Sequence, residues 1–277
     1  WFVFNRKIKL QNLFIVIVSY LFYGWWDWRF LILIAFTSFC SWLSGVAIEK
    51  AREGNSLSED TPSVRKKCRW ITGTNIFLNL AILGFFKYAD FIIGSINAVS
   101  GLNLPLLNIP LPIGISFYTF QTMGYVIDVY RGKAEAEKNI FKMALFTSFF
   151  PQLIQGPISR FGELSQTLYA PHRFDFRTVW FGLERVLWGY FKKLVIADRL
   201  GMLVTTVYAA PDQFGRLQVI AAAAAFSIQI YCDFSAYSDM ALGCAQVLGF
   251  RLMENFRTPY FSRSIGEFWR RWHMTLS

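Results

Sequence analysis

The sequence predicts an all-α fold, a polytopic integral membrane helical bundle in which broken or re-entrant helices line a cavity. Of 277 residues, 54% are hydrophobic and 18% aromatic, while only 17% are charged. With a positive mean hydropathy, that composition is too apolar for an ordinary soluble domain. Several windows approach the roughly 20 apolar residues that cross a bilayer. The excess of 28 Lys and Arg over 18 Asp and Glu falls between those windows. That placement marks membrane topology, and no nucleic-acid module accompanies it.

In chain order the regular windows are Ile8 to Trp26, Trp28 to Ile48, Trp70 to Tyr88, Leu111 to Ile127, Thr178 to Ala197 and Leu217 to Cys232. Four others are short or carry Gly and Pro: Phe91 to Leu106, Ile140 to Ile158, Leu200 to Ala210 and Met240 to Phe250. Interrupted segments are tolerated at membrane depth only inside protein or against water, so these are expected to be the broken pieces. Basic residues cluster at Lys50 to Arg69, Arg131 to Lys138 and Arg251 to Arg271. All three clusters share the cytoplasmic side if Phe91 to Leu106, Ile140 to Ile158 and Met240 to Phe250 do not cross. Lys192 and Lys193 interrupt an apolar segment. They either snorkel to an interface or face a cavity, because a central Lys costs about 2.5 to 3.5 kcal/mol on insertion scales.

Nothing marks a second domain, so residues 1–277 are expected to form one transmembrane domain. Trp1 stands where a Met would begin a chain and Ser277 falls inside a patterned helix, so the domain is expected to be truncated at both ends. The polar stretch GNSLSEDTPS at 54–63 is expected to be a connection. The four cysteines show neither disulfide nor zinc spacing, and no metal is expected.

The densest chemistry lies near the end. Ser264 opens SIGE, a capping-box pattern that predicts a helix start. From there Trp269, Trp272, His273 and Leu276 recur at helical spacing, with Arg270 and Arg271 pointing elsewhere. On a continuous helix His273 would lie about 13 to 14 Å from the start, near mid-membrane. An ionisable group at that depth must face protein or a water-filled path. A packed neutral histidine and a proton-transfer group fit the pattern equally. In the second case the imidazole would accept the proton of an attacking hydroxyl, since no G-x-S-x-G elbow supplies a serine nucleophile. His172, in APHRFDF, has no ligand-like spacing to His273 and is expected in a solvated or interfacial loop. Arg270 and Arg271, within the predicted helix, are expected to line a polar cavity and, with the helix N-terminus, to favour a phosphate-bearing ligand.

Two further stretches are polar within apolar surroundings. IQIYCDFSAYSDMALG, 228–243, carries Asp233, Ser235, Tyr237 and Asp239 at one-turn spacings. It is either a helix break with capping carboxylates or a polar cavity wall that orients His273 or pairs with an arginine. PQLIQGPISRF, 151–161, with two prolines and Arg160, predicts a broken backbone beside a cavity.

These two stretches, with SYLFYGWW (19–26), LPIGISFYTFQTMGYVIDVYRG (111–132) and RLMENFRTPYFSRSIGEFWRRWHMTLS (251–277), resemble the membrane-bound O-acyltransferases, in particular the bacterial alginate O-acetyltransferase type. The resemblance implies a membrane enzyme with a central funnel that moves an acyl group onto a hydroxyl. The family's RWH histidine falls on His273; a second family histidine lies further along than this sequence reaches. Trp269, Trp272, Arg270, Arg271, Asp233, Ser235, Tyr237, Asp239 and Arg160 are the binding or cavity candidates. The same resemblance implies acetyl-CoA as donor with no bound cofactor, an envelope polysaccharide as acceptor, a periplasmic partner acetyltransferase, and a multi-pass position in the bacterial inner membrane. D-alanyl transfer to teichoic acid, by a sister subfamily with a similar RWHMTLS stretch, is the alternative. From the residues alone, a transporter or scaffold also fits, because broken helices mark transport sites too.

Overall fold

A computed structural model describes residues 7–53 and 61–276; most of the polar connection expected at 54–63, the chain's first six residues and Ser277 lie outside the described residues. Among the described residues the structure is helical and has no strand, as the apolar windows predict. The residues group into two compact units.

The first unit, residues 7–154 and 160–170, holds α1 (Ile8–Trp26), α2 (Arg29–Glu53), α3 (Pro62–Ser100), α4 (Ile115–Tyr130), α5 (Ile140–Ser148), α6 (Phe150–Leu153) and α7 (Phe161–Leu168). α3 starts with Pro at its first turn, where a missing N–H costs nothing, and ends on Gly101 in the left-handed region at φ 70°. Its 39 residues make a rod of about 58 Å, well beyond the roughly 30 Å of bilayer hydrocarbon. Phe91 to Ser100 therefore continues a helix, and correcting the expected interruption, the chain leaves helical structure only after Ser100. The break expected within Ile140 to Ile158 is present, where Phe149 ends α5 and Pro151 opens α6. Gly114 permits the entry to α4 at φ 72°, and a Cβ there would collide with the Leu153 carbonyl.

This unit is apolar outside, and its interior adds polar side chains to an apolar core of Tyr23, Phe30, Ile34, Leu83, Ile115, Tyr118 and Leu153. Trp25, Trp28, Phe77 and Val99 are exposed, whereas Ser38, Ser41, Asn75, Asn79 and Thr122 are buried. The buried groups join helices: Asn75 Nδ2 donates to Ser44 Oγ at 3.1 Å, and the Ser38 and Thr147 hydroxyls lie 2.6 Å apart. Lipid offers no hydrophobic contrast to hold helices together, so such bonds and close packing must do it.

The second unit, residues 155–159 and 171–276 among those described, is built on two long helical elements. α8 (Phe176–Tyr190), a π-helical segment (Phe191–Ala197) and α9 (Asp198–Ala209) follow one another directly. α10 (Arg216–Val247) runs 32 residues, and α11 (Ile265–Trp269) follows a single 3-10 turn. Two expectations are corrected here. Leu200 to Ala210 is not an isolated piece, and the polar run 233–239 does not break α10, because its carboxylates bind cations on the facing helix instead of capping amides. α1, α2, α3 and α10 are each long and apolar enough to cross a membrane, so the chain is a multi-pass membrane protein.

α8 meets α10 backbone to backbone. A Cβ on Gly243 would sit 2.6 Å from the Gly182 carbonyl oxygen, and one on Gly189 would sit 2.9 Å from that of Ala236. Gly182 and Gly189 on one helix, Ala236 and Gly243 on the other, recur every seven residues, two turns apart. Small residues at such spacing let membrane helices approach closely. Gly243→Val is expected to lower stability by about 3 kcal/mol, the upper end of overpacking costs, since the obstacle is backbone. Gly84→Ala, where a Cβ meets nothing within 4 Å, is expected to be neutral or to stabilise by up to about 1 kcal/mol. Thermal unfolding of both variants in detergent checks this.

Candidate functional site

The facing surfaces of the π segment and α10 carry a charge network. Lys192 is buried; its ammonium donates to Ser235 Oγ at 2.8 Å and pairs with Asp239 Oδ2. Arg185, on α8, donates through Nε and Nη2 to Asp239 Oδ1 at 3.0 and 2.9 Å, and reaches Glu254 at 2.6 Å. Lys193 turns to a second pair, Asp233 at 2.6 Å and Asp198 at 2.8 Å, with its ammonium 5.6 Å from the Tyr237 ring. Both lysines are therefore bound by carboxylates within the second unit. Lys192 is sealed in the helix pair, and Lys193 lines a cleft of about 610 Å³ together with Asp198, Gly201, Gln229 and Asp233. π segments of this kind recur at functional sites.

The end of the chain departs from the expected helix. Ser264 Oγ accepts from the Glu267 amide at 3.1 Å, and Glu267 Oε2 reaches back to the Arg263 amide at 2.8 Å, so the cap predicted at Ser264 is present. α11 nevertheless stops at Trp269. Correcting the helical-face expectation, residues 270–276 form turns because their backbone finds partners outside the helix. The Arg271 carbonyl accepts from the Arg257 amide at 2.9 Å, and the Met274 amide donates to the Asn255 carbonyl at 2.9 Å. His273 takes the left-handed region, at φ 47°, which histidine tolerates better than most residues. Its distance along a continuous helix consequently says nothing about its depth.

His273 rests on α10: its ring lies 4.9 Å from that of Phe234. Nδ1 is buried with no hydrogen-bond partner among the described residues. Burial pushes the imidazole pKa below its ordinary 6.5, because a charged ring would lose its hydration. Burial thus favours the neutral ring, the form able to accept a proton.

The other candidates separate. Trp272 sits within an aromatic cluster with Phe256 and Phe268, 5.1 and 5.5 Å away, while Trp269 is mostly exposed against the edge of Phe268. Arg271 is held by Glu267 at 2.6 Å, and Arg270 is exposed. α11 has five residues and its cap is satisfied by Ser264 and Glu267, so the helix N-terminus offers no anion site of the expected kind. Asp233, Ser235 and Asp239 are brought together, but toward Lys192, Lys193 and Arg185, not toward His273. Arg160 belongs to the other unit, where it pairs with buried Asp128 at 3.1 Å. His172, expected in a solvated or interfacial loop, packs against Phe250 with ring centres 4.4 Å apart. Sequence reading missed Arg185, Glu254 and Asn255. Only Arg185 left a signal, as a charge inside an apolar window.

The family model described as the membrane-bound O-acyltransferase family matches residues 136–277, which contain the charge network and His273. The chain belongs to this family. Among relatives of this membrane-bound O-acyltransferase chain, a Pseudomonas putida protein named "Probable alginate O-acetylase AlgI" is 40% identical over 97% of the chain and 54% of its own length. A peptidoglycan O-acetyltransferase of Helicobacter pylori is 30% identical over 99% of the chain and 55% of its own length. A teichoic acid D-alanyltransferase of Bacillus subtilis is 25% identical over 60% of the chain and 42% of its own length. The chain spans about half the length of the curated relatives it matches.

The network makes a stability prediction. Asp239→Ala leaves Lys192 buried without its carboxylate and is expected to cost about 3 to 5 kcal/mol, as for a broken buried ion pair. Glu254 has a side chain 55% exposed, and Glu254→Ala is expected to cost under about 1 kcal/mol. Denaturation midpoints of the two variants in detergent measure the contrast.

Proposed function

We propose that the full-length protein is an inner-membrane O-acetyltransferase, taking acetyl from acetyl-CoA on the cytoplasmic side and directing it toward a hydroxyl of an alginate-like or other envelope polysaccharide. The observation that carries this reading is His273, which falls on the family's RWH histidine and whose Nδ1 is buried with no hydrogen-bond partner among the described residues; burial also lowers its pKa. The relatives matched along nearly the whole chain are named for acetyl transfer to a glycan, whereas the D-alanyl-transfer relative matches 60% of it. Acetyl is therefore favoured over D-alanyl as the group moved.

In this reading the acceptor hydroxyl oxygen attacks the thioester carbonyl, and the imidazole takes the hydroxyl proton as the C–O bond forms. The C–S bond then breaks, and the proton passes to the departing thiolate to give free coenzyme A. A periplasmic partner transferase is the expected recipient or co-worker on the outer side. His273 stands in this scheme as the base, alone or together with a histidine beyond this chain. Lys193 and Asp233 give the cleft a polar wall, Ser235 and Asp239 hold Lys192 behind it, Tyr237 lies beside Lys193, and Trp269, Trp272, Arg270 and Arg271 belong to the segment that carries His273.

Full-length protein in membranes, supplied with radiolabelled acetyl-CoA, acceptor and partner, tests the reading. Wild type is expected to consume thioester and label the glycan, and His273→Ala to lower labelling about 100-fold or more, the usual contribution of a general base, with unchanged membrane level and unfolding midpoint. Thioester left intact by wild type would support a transporter or scaffold instead. Because burial lowers the histidine pKa, protonation switches the base off only on the acid side. The acid limb of the rate profile is expected to have its midpoint below 6.5, with full activity above it.

A further inference from the structure

We infer that Asn255 is a positioning residue for His273, clamping the turn that carries it to α10. The inference rests on the role proposed for His273, but the clamp itself is a matter of geometry. Asn255 is wholly buried, at 0% exposure, in a loop with no regular structure of its own. It binds the two residues that follow His273. Its carbonyl accepts from the Met274 amide at 2.9 Å, and its Oδ1 accepts from the Thr275 hydroxyl at 3.0 Å and the Thr275 amide at 3.4 Å. Its Nδ2 donates to the Ser238 hydroxyl at 3.2 Å, and Ser238 is itself buried on α10.

These bonds exhaust the amide side chain usefully: the oxygen serves the turn and the nitrogen serves the helix. Ser238 lies four residues beyond Phe234, one helical turn along α10, and Phe234 is the residue whose ring supports the imidazole. The clamp and the stacking surface therefore belong to one face of one helix. Thr275 extends the clamp, since its hydroxyl also accepts from the Ile158 amide at 3.1 Å.

The geometry gives Asn255 a specific task. His273 occupies a left-handed backbone conformation, at φ 47°, that a non-glycine residue keeps only when its surroundings over-determine it. The hydrogen bonds to Met274 and Thr275 fix the chain immediately after it, and the Arg257 amide fixes the carbonyl of Arg271 two residues before it. No ion pair to His273 occurs among the described residues, so the imidazole is aimed by its backbone and by Phe234, not by a charged side chain. Without Asn255 the turn would keep its sequence and lose its direction. No substrate contact is assigned to Asn255.

The test uses full-length protein in lipid nanodiscs, labelled with 13C at histidine. In full-length protein the two signals are assigned by their loss in the His273→Ala and His172→Ala variants; each ring lies beside a phenylalanine, Phe234 at 4.9 Å and Phe250 at 4.4 Å, whose ring current reports its position. Asn255→Ala is expected to move the His273 signal toward its unstacked position while leaving that of His172 in place, and to lower kcat at least tenfold with KM for acetyl-CoA within about twofold. If Asn255→Ala does not fold, Thr275→Val, which removes only the hydroxyl, is expected to give the same pattern more weakly. Thr275→Ser, which keeps that hydroxyl, is expected to retain wild-type signals and rate. An unmoved His273 signal in folded Asn255→Ala or Thr275→Val overturns the inference. A moved signal in a protein whose His273→Ala variant keeps full activity upholds the clamp and overturns the proposed base, so the two failures are distinguishable.

Discussion

The pairing of buried Lys192 with Asp239 is the contact on which the second unit depends. An ammonium inside an apolar helix has to find its counter-charge within the protein, because neither lipid nor distant water can supply it. Asp239 meets that need only while α10 stays at fixed height against α8 and the π segment. The glycine contacts at Gly182, Gly189 and Gly243 bring the two backbones close enough for the short side-chain reach involved. Arg185 doubles the tie through the other oxygen of Asp239. The charge network sets the register of the pair, and the small residues make that register sterically available.

The His273 turn is fastened to this helix pair. Phe234 and Ser238 lie on α10 between Asp233 and Asp239, so the residues that support the imidazole alternate with those that bind the lysines. A shift of α10 along its axis would disturb both together. The His273 turn and the charge network are thus coupled through one helix, and the polar run 228–243 supports both because the carboxylates and the Phe234 ring leave α10 on different faces.

The apolar windows, the cap at Ser264, the broken backbone around Pro151 and the two lysines at 192 and 193 were all legible in the sequence, because each is a local signal: a period, a dipeptide or a charge in the wrong solvent. The continuity of α10 was less legible, because the fate of Asp233 and Asp239 depends on cations some 40 to 54 positions away. The end of α11 at Trp269 was not legible at all. Trp269, Trp272, His273 and Leu276 keep a helical period, but the backbone of 271–275 is claimed by Asn255 and Arg257 from a loop with no pattern of its own. Helical periodicity in that stretch reflects an aromatic cluster packed by turns.

The proposed base role requires the fold to present the His273 imidazole to an acceptor hydroxyl. An experimental structure of the full-length protein with an unreactive acetyl-CoA analogue and a glycan fragment tests it most directly. An imidazole nitrogen of His273 is expected within about 2.6 to 3.2 Å of the acceptor oxygen, or linked to it through one water. An acceptor oxygen bound to other residues, with His273 sealed behind Phe234 and out of reach, would contradict it.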